Sequence, residues 1–313
     1  MKTSAAPGRA PTLAPNSATN PAPNPAPLVS IITPCRNAEA FIGAAIDSVR
    51  AQTLTDWEML IVDDASTDAS AAVIKDYAAR DDRIRPLSQH GVTSPGSHPS
   101  TVAPITPQPA GAAAARNHAI AQARGRYIAF LDADDVWFAD KLAKQTAFMA
   151  AHEQAFTYAS YRLIDAADRD LGVFTVPPQI TRADLLKVNS VSCLAAVYDA
   201  RALGKMRMPA LDIGHDYALW LAILKRVGSA RGIVEPLAAC RIQQPASLSG
   251  DKLRAARRRW RIYRRHERLS RAASAYYFCH YAYHGLLKYL WRARITRWLN
   301  HLRAAMPQTW RRK

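Results

Sequence analysis

The chain has 313 residues, 49% of them hydrophobic, and a formal net charge of +17. That size and apolar content exclude a disordered chain or a minimal disulfide-stapled scaffold, and they allow one large or two small domains with an ample core. No uninterrupted apolar run is long enough to cross a bilayer, so a soluble or membrane-peripheral protein is expected.

Residues 1–27 carry seven prolines among Ala, Asn, Thr and Ser, without the apolar segment of a signal peptide, and should be disordered. The strand LVSIITP (28–34) is followed by a helix over 39–53 whose stripe is Phe41, Ile42, Ala45, Ile46 and Val49. A second buried strand, WEMLIVDDAS (57–66), precedes a helix over 68–80 opened by an Asp cap, and a short third strand lies in DRIRPLS. Residues 89–110 form an inserted loop rich in Pro, Ser, Thr and Gly. GAAAARNHAIAQARG (111–125) is an Ala-rich helix stopped by Gly125, and RYIAFLDADD (126–135) is the next strand. This alternation predicts an α/β fold with a parallel, doubly wound sheet. Ligands of such sheets bind beyond the carboxyl ends of the strands. Asp63 with Asp64, and Asp132 with Asp134, end two strands and should face one cleft.

Three carboxylates within DADD, Asp132, Asp134 and Asp135, repel one another and raise one another's pKa unless a cation lies between them. Oxygen-only ligands suit Mg2+ or Mn2+, which one or two carboxylates hold together with substrate phosphates. The alternative is a solvated turn in which Asp serves as a cap. Farther on, Leu219, Trp220, Ile223 and Leu224 recur at helical spacing, which puts His215 and Asp216 at a helix start. Asp216 is a candidate general base or an N-terminal cap, and a lone His at a helix edge is expected at the surface.

The segments SIITPCRNAEAFIGAAIDSVRAQT, LIVDDASTD, GAAAARNHAIAQARGRYIAFLDADD and HDYALWLAILKR together resemble the family 2 glycosyltransferases, inverting nucleotide-sugar enzymes with a Rossmann-like GT-A fold. Four ordered motifs at suitable spacing are far more specific than one DxD. KQTAFM, FTYASY and LLKVNSVSCLAAVYD add likeness to the bacterial surface-polysaccharide branch that makes teichuronic acid. The resemblance spans residues 28–250, which should form the GT-A domain. It implies that Thr33 and Pro34 lie beside the nucleotide base, that Asp63 or Asp64 bonds the base or ribose, and that Arg116 lies near the diphosphate. Asp64 could equally be a turn cap. Asp134 would ligate Mn2+ or Mg2+, with Asp132 reaching the ribose or a metal-bound water, and Asp216 would take the acceptor's proton. His215 stands where relatives often have Glu. Arg241, Ser247 and Ser249 would form a phosphate-facing loop or, equally, a plain surface loop, and Gln243 stands where a His often joins the metal site. The partners implied are a nucleotide-sugar, a UDP-sugar by preference, and a lipid-linked or oligosaccharide acceptor.

Charge is confined to one end. Residues 252–313 hold 18 Lys and Arg against a single acid, Glu267, whereas residues 1–251 are balanced with 24 of each sign. RAARRRWRIYRRHERLSR (254–271) interleaves Arg with Trp260 and Tyr263, and the Tyr- and Trp-rich stretch after it has the composition of an interfacial helix. Residues 251–313 therefore read as a basic helical extension held at an anionic membrane surface. RNA would suit the same pattern, which leaves a nucleic-acid- or membrane-binding protein with an inactive GT-A-like body as the alternative. ARRRW has Ala256 where processive synthases carry Gln, so processivity is not expected. Cys35, Cys193, Cys240 and Cys279 lack metal-type spacing and read as reduced thiols. The protein should work in the cytoplasm, peripheral to the inner face of the membrane.

Overall fold

The computed structural model describes residues 26–88, 110–211, 214–242 and 252–287. The disorder expected in 1–27, the insertion at 89–110, and Gln243, Ser247 and Ser249 lie wholly or almost wholly outside these residues.

The predicted alternation is present: β1 (Val29–Cys35), α1 (Ile42–Arg50), β2 (Trp57–Asp63), α2 (Ser70–Arg80), β3 (Ile84–Ser88), α3 (Ala112–Gln122) and β4 (Tyr127–Phe130). The expected Asp cap of α2 is partial, since Asp68 Oδ1 accepts from Ser70 N at 3.0 Å while Ala69 takes the capping position. Two-residue periodicity sends alternate side chains to opposite faces. Ile32, Leu60, Val62, Ile128 and Phe130 join one core with α3, and Ile31, Met59, Ile61 and Ala129 join another with α1. These two cores make three layers, helices on both sides of a sheet.

β1 lies between β2 and β4 and is parallel to both, so all three end at one edge. Gly125 is what allows β4 to start beside β1. A Cβ there would come within 2.5 Å of Ser30 N, and Gly125 N instead donates to Ser30 Oγ at 2.8 Å.

The second half departs from the purely parallel expectation. It comprises β5 (Val136–Trp137), α4 (Lys141–Ala151), β6 (Phe156–Ile164), β7 (Asp170–Phe174), β8 (Gln179–Thr181), α5 (Arg182–Lys187), β9 (Ala196–Asp199), α6 (Ala200–Leu203), α7 (His215–Val227) and β10 (Ser229–Arg241). The sheet has ten strands, in the order β3-β2-β1-β4-β9-β6-β10-β5, with β7 on β6 and β8 on β10. β9 runs antiparallel to both β4 and β6. The reversal places β10 parallel to β6, and its last residue, Arg241, comes back to the DADD turn.

The basic extension folds against this body. α8 (Lys252–Arg261) passes into a single π-helical turn (Ile262–His266), and α9 follows over residues 271–287. Ile262 and Tyr263 are buried in the core that holds α7, and Tyr263 donates to Leu186 O. Glu267, its side chain 2% exposed, is bound by Arg182 and by Lys225 at 2.9 Å. Glu267→Ala leaves two cations without their carboxylate and removes charge-assisted bonds worth about 1.5–3 kcal/mol. The tail should then become protease-sensitive while the body stays resistant. A tail no more sensitive than in the wild type would show that the pair does not hold it.

Lys141 is fully buried, with its Nζ 2.9 Å from Gln145 Oε1 and 4.1 Å from the centre of the Trp137 ring. Burial pulls its pKa down to about 7. The unfolded chain therefore binds a proton between about pH 7 and the ordinary lysine value near 10.4, and the folded chain does not. Folding stability gains from Lys141 as pH rises through that window, by up to about 1.4 kcal/mol per unit. Lys141→Met should flatten the rise when denaturant unfolding is compared at pH 7 and 10. An unchanged slope would place the ammonium charge in the folded state.

Candidate functional site

The site is built where β1, β2 and β4 end and the start of α7 comes over them. Pro34, half-buried, is the next-to-last residue of β1, while Thr33 is fully buried with Oγ1 unpartnered among the described residues. Asp63 closes β2 and accepts from Ser66 Oγ. The carboxylate of Asp64, 3% exposed, accepts from Ala110 N at 2.8 Å and Gly111 N at 2.9 Å, fixing the entry to α3. It caps no helix, since Gly111 opens α3 without a side-chain cap bond.

On the other side of β1, Leu131 N donates to Ile32 O at 3.1 Å and the chain enters the DADD turn. The three carboxylates differ in surroundings. Asp132 remains 32% exposed and pairs with Arg116. Asp134 gives its main-chain carbonyl to Arg241 Nε at 2.9 Å. Asp135 is buried and accepts from Arg241 N at 2.8 Å. Burial first, then the charge of Asp132, pushes the Asp135 carboxyl well above the usual range, and Asp134 adds to the push. Among the described residues no three His, Cys, Asp or Glu side chains form a closed metal cage. A hard divalent ion that keeps waters and substrate phosphates needs only one or two carboxylates. The oxygen donors of the turn are of the kind such an ion takes, and Asp132 already shares its carboxylate with Arg116.

Arg116 and His215 change the picture drawn from sequence. Arg116 projects from α3 and is 6% exposed. One arm binds Asp132 and the other lies 2.7 Å from His215 Nε2. Burial opposes its charge, yet the Asp132 carboxylate, with Asp216 and other neighbours adding to it, holds the guanidinium above the ordinary arginine pKa. His215, expected at the surface, is only 9% exposed. Burial, then the Arg116 charge, lowers its pKa, so the ring is neutral. Its Nδ1 lies 3.3 Å from Leu211 O, which assigns the proton to Nδ1 and leaves Nε2 to accept from Arg116. The pairing joins residues 99 apart in the chain. Its only signal in the sequence was a histidine where relatives often have an acid, beside an arginine in AARN.

Asp216 follows in the first turn of α7, half-buried, where the helix dipole favours a carboxylate. It does not cap the helix. Gly214 holds that place in the left-handed region at φ 81°, with no side-chain cap bond. Arg241 lies beneath the DADD turn. Its Nη1 is 3.0 Å from Asp165 O and 2.7 Å from Asp168, and its guanidinium carbon is 4.8 Å from the centre of the Phe41 ring. Arg241 thus props the acidic turn, a role that its place in CRIQQPASLSG did not reveal.

Comparison with known proteins agrees with this geometry. The sequence model for glycosyl transferase family 2 matches residues 30–93 and 105–190. TuaG of Bacillus subtilis (strain 168), a glycosyltransferase assigned to teichuronic acid biosynthesis, is 37% identical over 264 residues, 84% of this chain and 98% of TuaG. WfgD of Escherichia coli, a UDP-Glc:α-D-GlcNAc-diphosphoundecaprenol β-1,3-glucosyltransferase, is 36% identical over 236 residues, 75% of this chain and 85% of WfgD. Among solved structures, S. aureus TarS 1-349 superposes with a TM-score of 0.56 at 17% identity, over 81% of this chain and 70% of TarS, and shows the same fold. On the extent of the TuaG and WfgD matches and on the DADD and HD sites, the chain belongs to glycosyl transferase family 2.

Proposed function

We propose that this glycosyltransferase moves a sugar from a UDP-sugar to a lipid-linked or polysaccharide acceptor in bacterial surface-glycan synthesis, with inversion at the anomeric carbon. The observation that carries the reading is the Asp132–Arg116–His215 chain, which fixes the acidic turn against the helix start that presents Asp216. TuaG and WfgD support the substrate class through what each acts in or on.

In this reading Pro34 and Asp63 meet the nucleoside, Asp64 holds the loop beside it, and Arg116 supplies fixed positive charge where the diphosphate lies. Asp134 and Asp132 would hold Mn2+ or Mg2+, which neutralises charge on the departing diphosphate. Asp216 removes the proton from the acceptor hydroxyl as that oxygen bonds to the anomeric carbon. The bond from carbon to diphosphate oxygen breaks, and its electron pair leaves with the nucleotide. One displacement inverts the centre, and no protein acid is required. Residues 28–250 form the catalytic body and 251–313 the extension that holds it to an anionic membrane. No helix among the described residues is long and apolar enough to cross a membrane.

Asp134→Asn preserves shape and removes charge. Calorimetry should show UDP affinity that no longer responds to Mn2+, with the unfolding midpoint unchanged, and an intact Mn2+ response would exclude Asp134 as ligand. Asp216→Asn should keep UDP affinity and lose about 10² to 10⁴ in transfer rate, the range for a general base. Parallel loss of binding and turnover would make Asp216 structural. A screen of the full chain against nucleotide sugars, read as nucleotide release, tests the whole reading; release from no UDP-sugar would reject it.

A further inference from the structure

The site above accounts for the acidic turn and uses none of the arginines of the extension. Arg257, Arg261, Arg264, Arg265 and Arg271 line an open cleft of about 400 Å3 together with Trp260. From Arg257 to Arg261, and on to Arg264 and Arg265, the spacing stacks guanidinium groups on one helical face, where like charges three and four apart oppose one another. The extension's sole acid, Glu267, offers them no relief because it is buried against Arg182 and Lys225. Among the described residues none of the five is ion-paired with a carboxylate. Arg264 is fixed by donating to Leu269 O, and Trp260 stands edge-on to Phe278 with ring centres 5.7 Å apart. Planar guanidinium forks gathered around one space match an anion with several oxygens, and phosphate takes such forks bidentately.

The surroundings narrow the ligand further. The reverse side of the same segment touches the start of α7. Ile262 Cδ1 lies 3.2 Å from where a Cβ on Gly214 would be, and Arg259 covers the ring of Tyr217, the neighbour of Asp216. Beyond Arg271 the outward face of α9 is apolar, with Tyr276 53%, Tyr283 57%, Leu286 54% and Leu287 43% exposed. One segment therefore packs against the helix start that carries Asp216, bears the cationic cleft on its other side, and continues into an apolar face. Resting on the lipid-linked acceptor reading, we infer that this cleft seats the diphosphate joining the acceptor sugar to its lipid. The sugar is directed toward Asp216 and the lipid leaves along α9.

Binding of the full-length protein to vesicles tests this independently of turnover. Neutral phosphatidylcholine vesicles carrying a polyprenyl diphosphate are compared with phosphatidylglycerol vesicles of equal surface charge. The diphosphate vesicles should bind roughly 10- to 100-fold more tightly, the range for one or two charge-assisted bonds, and inorganic diphosphate should compete. Arg257, Arg261 and Arg265 are all exposed, so triple replacement should not disturb the fold, which unfolding midpoints check. Replacement by Ala should remove the preference for diphosphate and also weaken binding to both vesicles. Replacement by Lys keeps the charge and should remove only the preference for diphosphate, since an ammonium cannot form the fork. Equal binding to both vesicles, a Lys variant with its preference intact, or displacement by RNA in place of inorganic diphosphate would overturn the proposal. UDP affinity of the same samples reports the donor site separately. Its absence in the wild type would reject the glycosyltransferase reading without touching the lipid measurement.

Discussion

The buried guanidinium of Arg116 cannot lose its charge, and both of its terminal nitrogens find acceptors, although Nε has none among the described residues. Asp132 gives it a counter-charge and neutral His215 a lone pair. That pairing ties together parts that have no other reason to meet: a turn after a central strand and the first residue of a distant helix. A protonated His215 would set two cations face to face, so the low pKa of the imidazole is a condition of the arrangement. Glu at this position, as many relatives have, would give Arg116 a second carboxylate. Histidine lets the arginine direct its full charge at Asp132 and the substrate side.

The acidic turn obeys the opposite constraint. Three carboxylates compete for too little positive charge, and the chain settles the conflict by burying one of them. Asp135 is held by the backbone of Arg241 and its pKa is raised, while Asp132 stays partly exposed and paired with Arg116. The same arginine braces the turn from below with its side chain. β10 is thus as much a part of the site as β4, although it is formed more than a hundred residues later.

How much of this was legible depends on the range of the interaction concerned. β1, β2 and β4 could be read because each is buried on both faces and bounded by turn residues, and Asp63, Asp64, Asp132 and Asp134 follow from where those strands end. The antiparallel insertion of β9 could not be read, because AVYD is four residues long and its pairing with β4 and β6 is set by the whole sheet. His215 looked like a surface residue because nothing within a few positions buries it; the burial comes from α3. Arg241 looked like a phosphate ligand because its sequence neighbours are serines, whereas its spatial neighbours are the carbonyls of Asp134 and Asp165. The extension was legible as basic and aromatic, but its docking through Tyr263 and Glu267 was hidden by the arginines around them.

The fixed seat of Glu267 has a consequence for how the molecule approaches a surface. It fastens the start of a segment that carries the entire net charge to a body that has none. A freely swinging tail would pull on a membrane without regard to the body's attitude. A docked one makes the whole protein an electric dipole with a set direction, and the field of an anionic leaflet exerts a torque on it as well as an attraction. At the anionic membrane proposed above, such a molecule would be turned before contact, with α8 and α9 toward the surface.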